Sequence, residues 1–357
     1  TATGATVTHT FMIPGTYNVT VTATNTVNGT TAGAQDFAVA AGSGAVSLGT
    51  LGGGTRLGAV QRTGSGTTTL NGNLTAASID LSGSTALATS VTLDTSAANG
   101  AITLATVNGT TAGVENLTLA AGAGATTLGA TGGTTRLGAL QSTTSGGGST
   151  TFNGNVTANS IAVTGAAATG TATLDTSLSG GSITLGSLAA GGVTTLNAGT
   201  GLATLGTVSH GGNIVTVTAD TVTLNGAWSG TGARVLQPAT ASRTIGLNGG
   251  VGDFALNGMA LGFLNGGSPS LVTIGRSNGT GDVAANGFSF DQALEVRGGA
   301  IAITGTLTKA TGALTLTSTD AITGSVDLAT GTGTFLLTGQ TAVFTGSTVN
   351  GATGSAA

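Results

Sequence analysis

The chain has 357 residues, including 66 Gly, 3 Pro and no Cys; 39% are hydrophobic, 3% aromatic and 6% charged, and the formal net charge is −4. The few prolines exclude a collagen-like or polyproline chain, and ample aliphatic content with little net charge excludes disorder. A single Lys and scattered Arg residues exclude a nucleic-acid footprint, no apolar run approaches the ~20 residues of a membrane span, and the missing Cys excludes disulfide or thiol chemistry.

In chain order, the segment 1–40 stands apart. "VTHTFMIPGTYNVTVTATNTVNGTTA", from Val7, places a turn at Pro14 and Gly15 and sets Tyr17, Val19 and Val21 on one face. Two long stretches then say nearly the same thing. "VNGTTAGAQDFAVAAGSGAVSLGTLGGGTRLGAVQ" from Val27 is answered by "VNGTTAGVENLTLAAGAGATTLGATGGTTRLGALQ" from Val107, so that Arg136 takes the place of Arg56 in the second copy. "LNGNLTAASI" from Leu70 returns as "FNGNVTANSI" from Phe152, and "TLDTS" from Thr92 returns from Thr173. The repeats are placed at 27–106 and 107–187.

Within each repeat runs a finer beat of short strands. "AVSL", "TTTL", "SIDL", "SVTL", "AITL", "SITL", "VTTL" and "TVTL" recur with apolar residues at alternate positions, as Ile102 and Leu104 flank Thr103. Period-two alternation marks strands with one buried face, and Val, Ile and Thr suit a pleated surface. Gly and Asn between them supply tight corners. No segment shows a capped helical period, so the expectation is all-β with essentially no helix.

Two architectures make such strands: a parallel β-solenoid, or an array of Ig-like sandwiches with ~7 longer strands per domain. The shortness of the strands, and a stretch from 153 to 227 without Phe, Tyr or Trp, favour the narrow coil. We therefore expect a β-solenoid over 41–357, more irregular from about 228 to 300, preceded by a separate β segment over 1–40. At about 20–25 residues per turn the coil makes some 13–15 turns, a rod of roughly 65–70 Å at the strand spacing of ~4.8 Å. A chain opening at Thr1 without a signal peptide is expected to be a mature product or an excised piece. The C-terminal "TAVFTGSTVNGATGSAA" offers no charge, proline or helix as a cap, which points to a longer natural chain or to a copy docking there.

Two resemblances add to this reading. His9, Phe11, the turn Pro14, Gly15, Thr16 and Tyr17, the alternating stretch 19–22, and Thr24 with Asn25 resemble the last strands of a PKD-type Ig-like domain. That resemblance implies a half-sandwich awaiting completion by other residues. The phrases "NGNLTAASI", "GALTLTSTDAITG" and "TGTLTKATGALTLTS" resemble the repeats of filamentous-haemagglutinin-like bacterial surface proteins. This second resemblance implies export, a right-handed parallel β-helix and adhesive or matrix roles, and it transfers no site residues.

Candidate chemistry is sparse. Asp94 and Asp175, at the same repeat position, read as corner residues bonding their own backbone. The single gathering of charge is "SNGTGDVAANGFSFDQALEVRGG", a candidate surface patch of Arg276, Asp282, Asp291, Glu295 and Arg297 with Phe288 and Phe290 nearby. It is the place where a glycan could bind, since sugar sites combine carboxylates with aromatic platforms. His9 and His210 lack partners at metal-ligand spacing, and Trp228 reads as a filler at a wider turn. Asn-x-Thr tripeptides at Asn18, Asn28, Asn73, Asn108, Asn116, Asn155 and Asn278 match glycosylation acceptors, although turn preference also explains them. Thr-x-Thr faces hint at ice binding, but Gly and Asn interrupt them.

The functional expectation is a non-enzymatic, exported structural or adhesive protein at the cell surface or outside the cell: a fibre building block, spacer or adhesin. It carries no catalytic residues, cofactor or metal. Expected partners are further copies, head to tail, or cell-surface and matrix glycans, with neither nucleic acid nor membrane insertion. The alternatives are a glycan-binding module with its site near 276–297 and, with less support, a polysaccharide-acting enzyme or an ice-binding protein.

Overall fold

The computed structural model describes residues 19–20, 27–309, 311–328, 335–338, 341–344 and 355–356. The PKD-like residues His9, Phe11, Pro14, Gly15, Thr16 and Tyr17, and most of the C-terminal stretch read above as uncapped, lie outside them. The described chain is a parallel β-solenoid of about 14 turns. It divides into two compact units, Thr1–Ala158 with Val163–Ala166 and Asn159–Ala162 with Ala167–Ala357.

In the first unit each turn contributes strands paired in parallel with their equivalents in the neighbouring turns; most are short, as expected, but Leu74–Leu87 runs unbroken through 14 residues. One ladder runs Val27, Leu51, Leu74, Leu93. A second runs Phe37, Val60, Ile79, Ile102, Thr126, Thr150. A third runs Val46, Thr68, Thr85, Val107, Thr131, Val156. The positions in the second ladder are almost evenly spaced along the chain, and that spacing is the length of a turn. Val27 and Phe37–Ala40 already belong to these ladders, so the coil takes in residues that the sequence reading assigned to the separate 1–40 segment.

The alternating pattern builds the core directly. Ile102, Leu104 and Val107 are buried while Thr103 is exposed. Each inward Leu or Ile meets its counterparts in the turns on either side, and removing such a side chain from water contributes roughly 1.5–3 kcal/mol. The inward rows are not wholly apolar. Thr68, Thr85, Thr126, Thr131, Thr150 and Thr194 are fully buried. Small residues let successive turns approach closely: a Cβ at Gly129 would sit 1.6 Å from the Ala105 carbonyl oxygen, and one at Gly206 would sit 1.8 Å from that of Gly186.

The repeated words find their purpose here. Asn28 Oδ1 accepts from the backbone N–H groups of Gly54 (2.7 Å) and Thr55 (3.3 Å), and Asn108 Oδ1 accepts from Thr134 (3.0 Å) and Thr135 (3.3 Å). Asp36 and its counterpart Asn116 accept from Ala59 (2.7 Å) and Ala139 (2.6 Å). The Gly33 and Gly113 amides donate to the Arg56 and Arg136 carbonyls at 2.9 and 2.8 Å. "NGTTAG" and "TRLGA" are thus a corner and its seat one turn later. Copying both preserves the junction, so a turn that stacks once can be duplicated to lengthen the coil.

The second unit, taken by itself, is built on the same scheme. Ala172, Thr194, Val215 and Arg234 follow one another up one ladder in turns that shorten slightly. Arg234 then pairs with Val272, so the next turn is about twice as long as its predecessor. The extra length holds strands Ile245–Leu247 and Phe254–Leu256 and an α-helix, α1, Gly258–Asn265. This eight-residue helix is the one exception among the described residues to the expected, and observed, nearly all-β chain. Asn257 caps it by accepting from the Ala260 N–H, and Ala260, Leu261 and Leu264 are buried on its inner side. Its sequence is apolar almost all round and carries two glycines, so it has no amphipathic period to read. Beyond the insertion a ladder runs Val283, Ile301, Ile322, and another runs Val272, Leu294, Leu314.

Candidate functional site

The five residues of the candidate patch are each engaged locally. Arg276, just after strand Val272–Ile274, donates from Nε to Asn278 Oδ1 at 2.6 Å and from its guanidinium to the Ala239 carbonyl, tying the corner to the insertion. Asp282 accepts from the Ala300 N–H of the next turn at 2.9 Å. Asp291 is exposed; its N–H donates to Asn265 Oδ1 (3.0 Å) and its carbonyl accepts from Thr311 Oγ1 (2.6 Å). Glu295 and Arg297 share one face of strand Leu294–Gly298 and form an ion pair at 2.7 Å, which Thr273 Oγ1 extends by donating to Glu295 Oε2 at 3.2 Å. Phe290 is fully buried and meets Phe288 in a T-shaped contact at 6.4 Å between centroids, so it is not an exposed platform for a sugar ring.

Three of these charges, Arg276, Asp282 and Glu295, bond residues of a neighbouring turn. Asp94 and Asp175 behave as corner residues, accepting at 2.8 Å from the backbone N–H groups of Ser96 and Ser177 respectively. Asn73 reaches to the Thr92 N–H (2.8 Å) and Asp220 to Thr240, through both its N–H (2.7 Å) and its hydroxyl (2.5 Å). Four of the Asn-x-Thr residues, Asn28, Asn73, Asn108 and Asn116, therefore hold a neighbouring turn; Asn18 lies outside the described residues. Among the described residues no three His, Asp or Glu side chains gather as a metal site would require.

Sequence reasoning missed three buried cations. Arg62 donates to the Ser82 (3.0 Å) and Gly44 (3.1 Å) carbonyls and also to that of Gly64, closing a Gly-rich corner from within. Lys309 donates to the Gln292 carbonyl and lies over Phe290 at 5.7 Å; burial pushes its amine down to about 8, against the opposing pull of Asp291. Arg234 is fully buried beside His210 and Trp228, and burial pushes it down to about 10. A lone cation in a sequence reads as surface. Here each replaces its water with the carbonyls of converging loops, a geometry that only the coil creates.

The outward faces carry threonine columns. Thr103, Thr127 and Thr151 stack in register in the first unit. In the second, Thr173, Thr195 and Thr216 stack, but the column then passes through Val235, Thr273 and Glu295. The apolar and charged interruptions deny it the uniform lattice that ice binding needs.

Among known protein families, the model of the PKD domain matches residues 1–35. The described part of that match joins the coil's first rungs: Val19 and Thr20 pair with Val46 and Ser47, and Val27 pairs with Leu51. No curated protein and no solved structure matches the chain. No helix among the described residues is long and apolar enough to cross a membrane. A PKD match joined to a β-solenoid fits a surface or adhesive structural role.

Proposed function

We propose that this chain is a non-enzymatic, exported structural element, a β-solenoid fibre segment, spacer or adhesive surface outside the cell. The observation that carries the proposal is the use made of its scarce polar side chains. Asn28, Asn108, Asp36, Asn116, Asp220 and Asp282 each bind the backbone of the following turn, leaving them engaged in architecture. The internal duplication supports the same reading, since it lengthens the coil and reproduces its junctions. PKD domains are typically extracellular, and the coil's resemblance to filamentous-haemagglutinin-like repeats supports export and adhesion.

The test combines a polysaccharide panel with electron microscopy of the purified chain at rising concentration. We expect no release of reducing ends, and fibres formed by head-to-tail addition of copies. Reducing-end release that is abolished by Asp282→Asn or Asp291→Asn would overturn the non-enzymatic reading. A strictly single-particle population at high concentration would overturn the fibre-building form of it.

A further inference from the structure

We infer that His210 and Arg234 form an acid-sensitive latch, which holds helix α1 against the coil at neutral pH and loosens its hold in acid. The inference is independent of the surface role proposed above. It starts from the hydrogen bonds that tie Arg234 to His210 and to α1. Arg234 Nε–H donates to His210 Nε2 at 2.9 Å, and a second guanidinium nitrogen donates at 2.5 Å to the Leu264 carbonyl in the last turn of α1. A third donates to the Gly230 carbonyl at 3.2 Å. The imidazole's other nitrogen, Nδ1, pairs at 2.8 Å with the Asn213 carbonyl, which can only accept.

These partners fix the protonation state. Nδ1 must carry the hydrogen, and Nε2 must offer its lone pair to Arg234. Adding a proton to Nε2 removes that acceptor and puts two cations 2.9 Å apart between nitrogens, in a site where His210, Trp228 and Arg234 are 0–1% exposed. Nothing nearby compensates. Trp228 meets the imidazole edge-on at 6.4 Å and the guanidinium at 5.9 Å but has no charge, α1 contains neither acid nor base, and Asp220 is bound to Thr240. Arg234 is the one charged group acting on His210 among the described residues. Burial, together with Arg234, accordingly holds the imidazole below its usual pKa.

The sign follows. The folded junction binds its proton less readily than exposed histidine does, so the open state takes up more protons as pH falls through ~6.5. Opening becomes easier in acid. Arg234 is the group that would move, and it is also the group that grips the last turn of α1. Release would uncover Leu261, Leu264 and Trp228, all buried when the latch is closed.

The test is hydrogen–deuterium exchange of the intact chain at pH 7.5 and 5.0, corrected for intrinsic exchange rates, read on peptides covering 257–266. We expect opening of α1 to increase by about 10- to 30-fold at pH 5.0, the limit set by titration of one group from ~6.5 down to that pH. His210→Gln keeps an acceptor for Arg234 but cannot gain a proton, and should abolish the acid response. An unchanged exchange rate in the parent chain, or an acid response that persists in His210→Gln, would overturn the latch. Should that variant not fold, nitrogen-detected NMR of the parent imidazole decides: the Nδ1–H tautomer titrating below ~6.5 is expected, and titration at or above that value would refute it.

Discussion

Thr126 and Thr150 stack one above the other in the same inward ladder, and both are fully buried. Their hydroxyls differ in one respect. Thr126 Oγ1 has no hydrogen-bond partner, whereas Thr150 Oγ1 pairs with Ser142 Oγ at 2.8 Å. Valine has nearly the same shape as threonine, so replacing each tests the hydroxyl with little change in packing. Burying an unpaired hydroxyl costs roughly 1–3 kcal/mol on mutational scales, so Thr126→Val should stabilise the fold by about 1–2 kcal/mol. Thr150→Val removes a satisfied pair and strands the Ser142 hydroxyl, and should destabilise by about 1–2 kcal/mol. The assay is urea unfolding followed by far-UV circular dichroism, with exchange protection of 117–128 and 149–152 as a local readout that does not assume two-state behaviour. Shifts of the same sign in the two variants, or a loss of stability in Thr126→Val, would refute the packing logic assigned to the core.

Three further outcomes are expected. Gly206→Ala puts a methyl 1.8 Å from the Gly186 carbonyl oxygen, so adjacent turns must part; we expect a loss of about 3 kcal/mol or more by denaturant titration. Asn108→Ala removes the acceptor of the Thr134 and Thr135 N–H groups at a largely exposed corner and should lower stability by about 0.5–1.5 kcal/mol, with Asn28→Ala matching it because the repeat copies the bond; clearly unequal losses would contradict that equivalence. Lys309, held at about 8 against an ordinary 10.5, leaves the unfolded chain binding more protons between those values. Stability should therefore rise with pH across that window, and Lys309→Met should flatten the profile.

Much of this fold was legible because alternation is a local signal. Ile102, Thr103 and Leu104 declare which face each occupies, and the duplicated "NGTTAG" and "TRLGA" announce that one junction occurs twice. The inward threonines were less legible, since the methyl suits a core and the hydroxyl suits water; Thr68 in "TTTL" faces in while Thr69 faces out. Asn108 was recognisable as a corner residue, but its partner Thr134 lies a full turn further along the chain. The five charges between 276 and 297 looked like a cluster because they are near in sequence. The coil distributes them over different strands and corners, and of the five only Glu295 and Arg297 join in an ion pair. His210, Trp228 and Arg234 gave no such sign, because it takes one turn of the coil to bring 210 beside 234.

The account rests on parallel, in-register stacking of successive turns, and a chain without cysteine lets that be measured directly. Thr103, Thr127 and Thr151 form one outward column, so Thr103→Cys with Thr127→Cys, and Thr127→Cys with Thr151→Cys, place thiols on neighbouring rungs. Both pairs should cross-link rapidly on mild oxidation. Thr103→Cys with Thr151→Cys lies two rungs apart, about 9.6 Å, and should stay reduced within one molecule. Failure of both neighbouring pairs, or equal cross-linking of all three, would contradict the stacked coil.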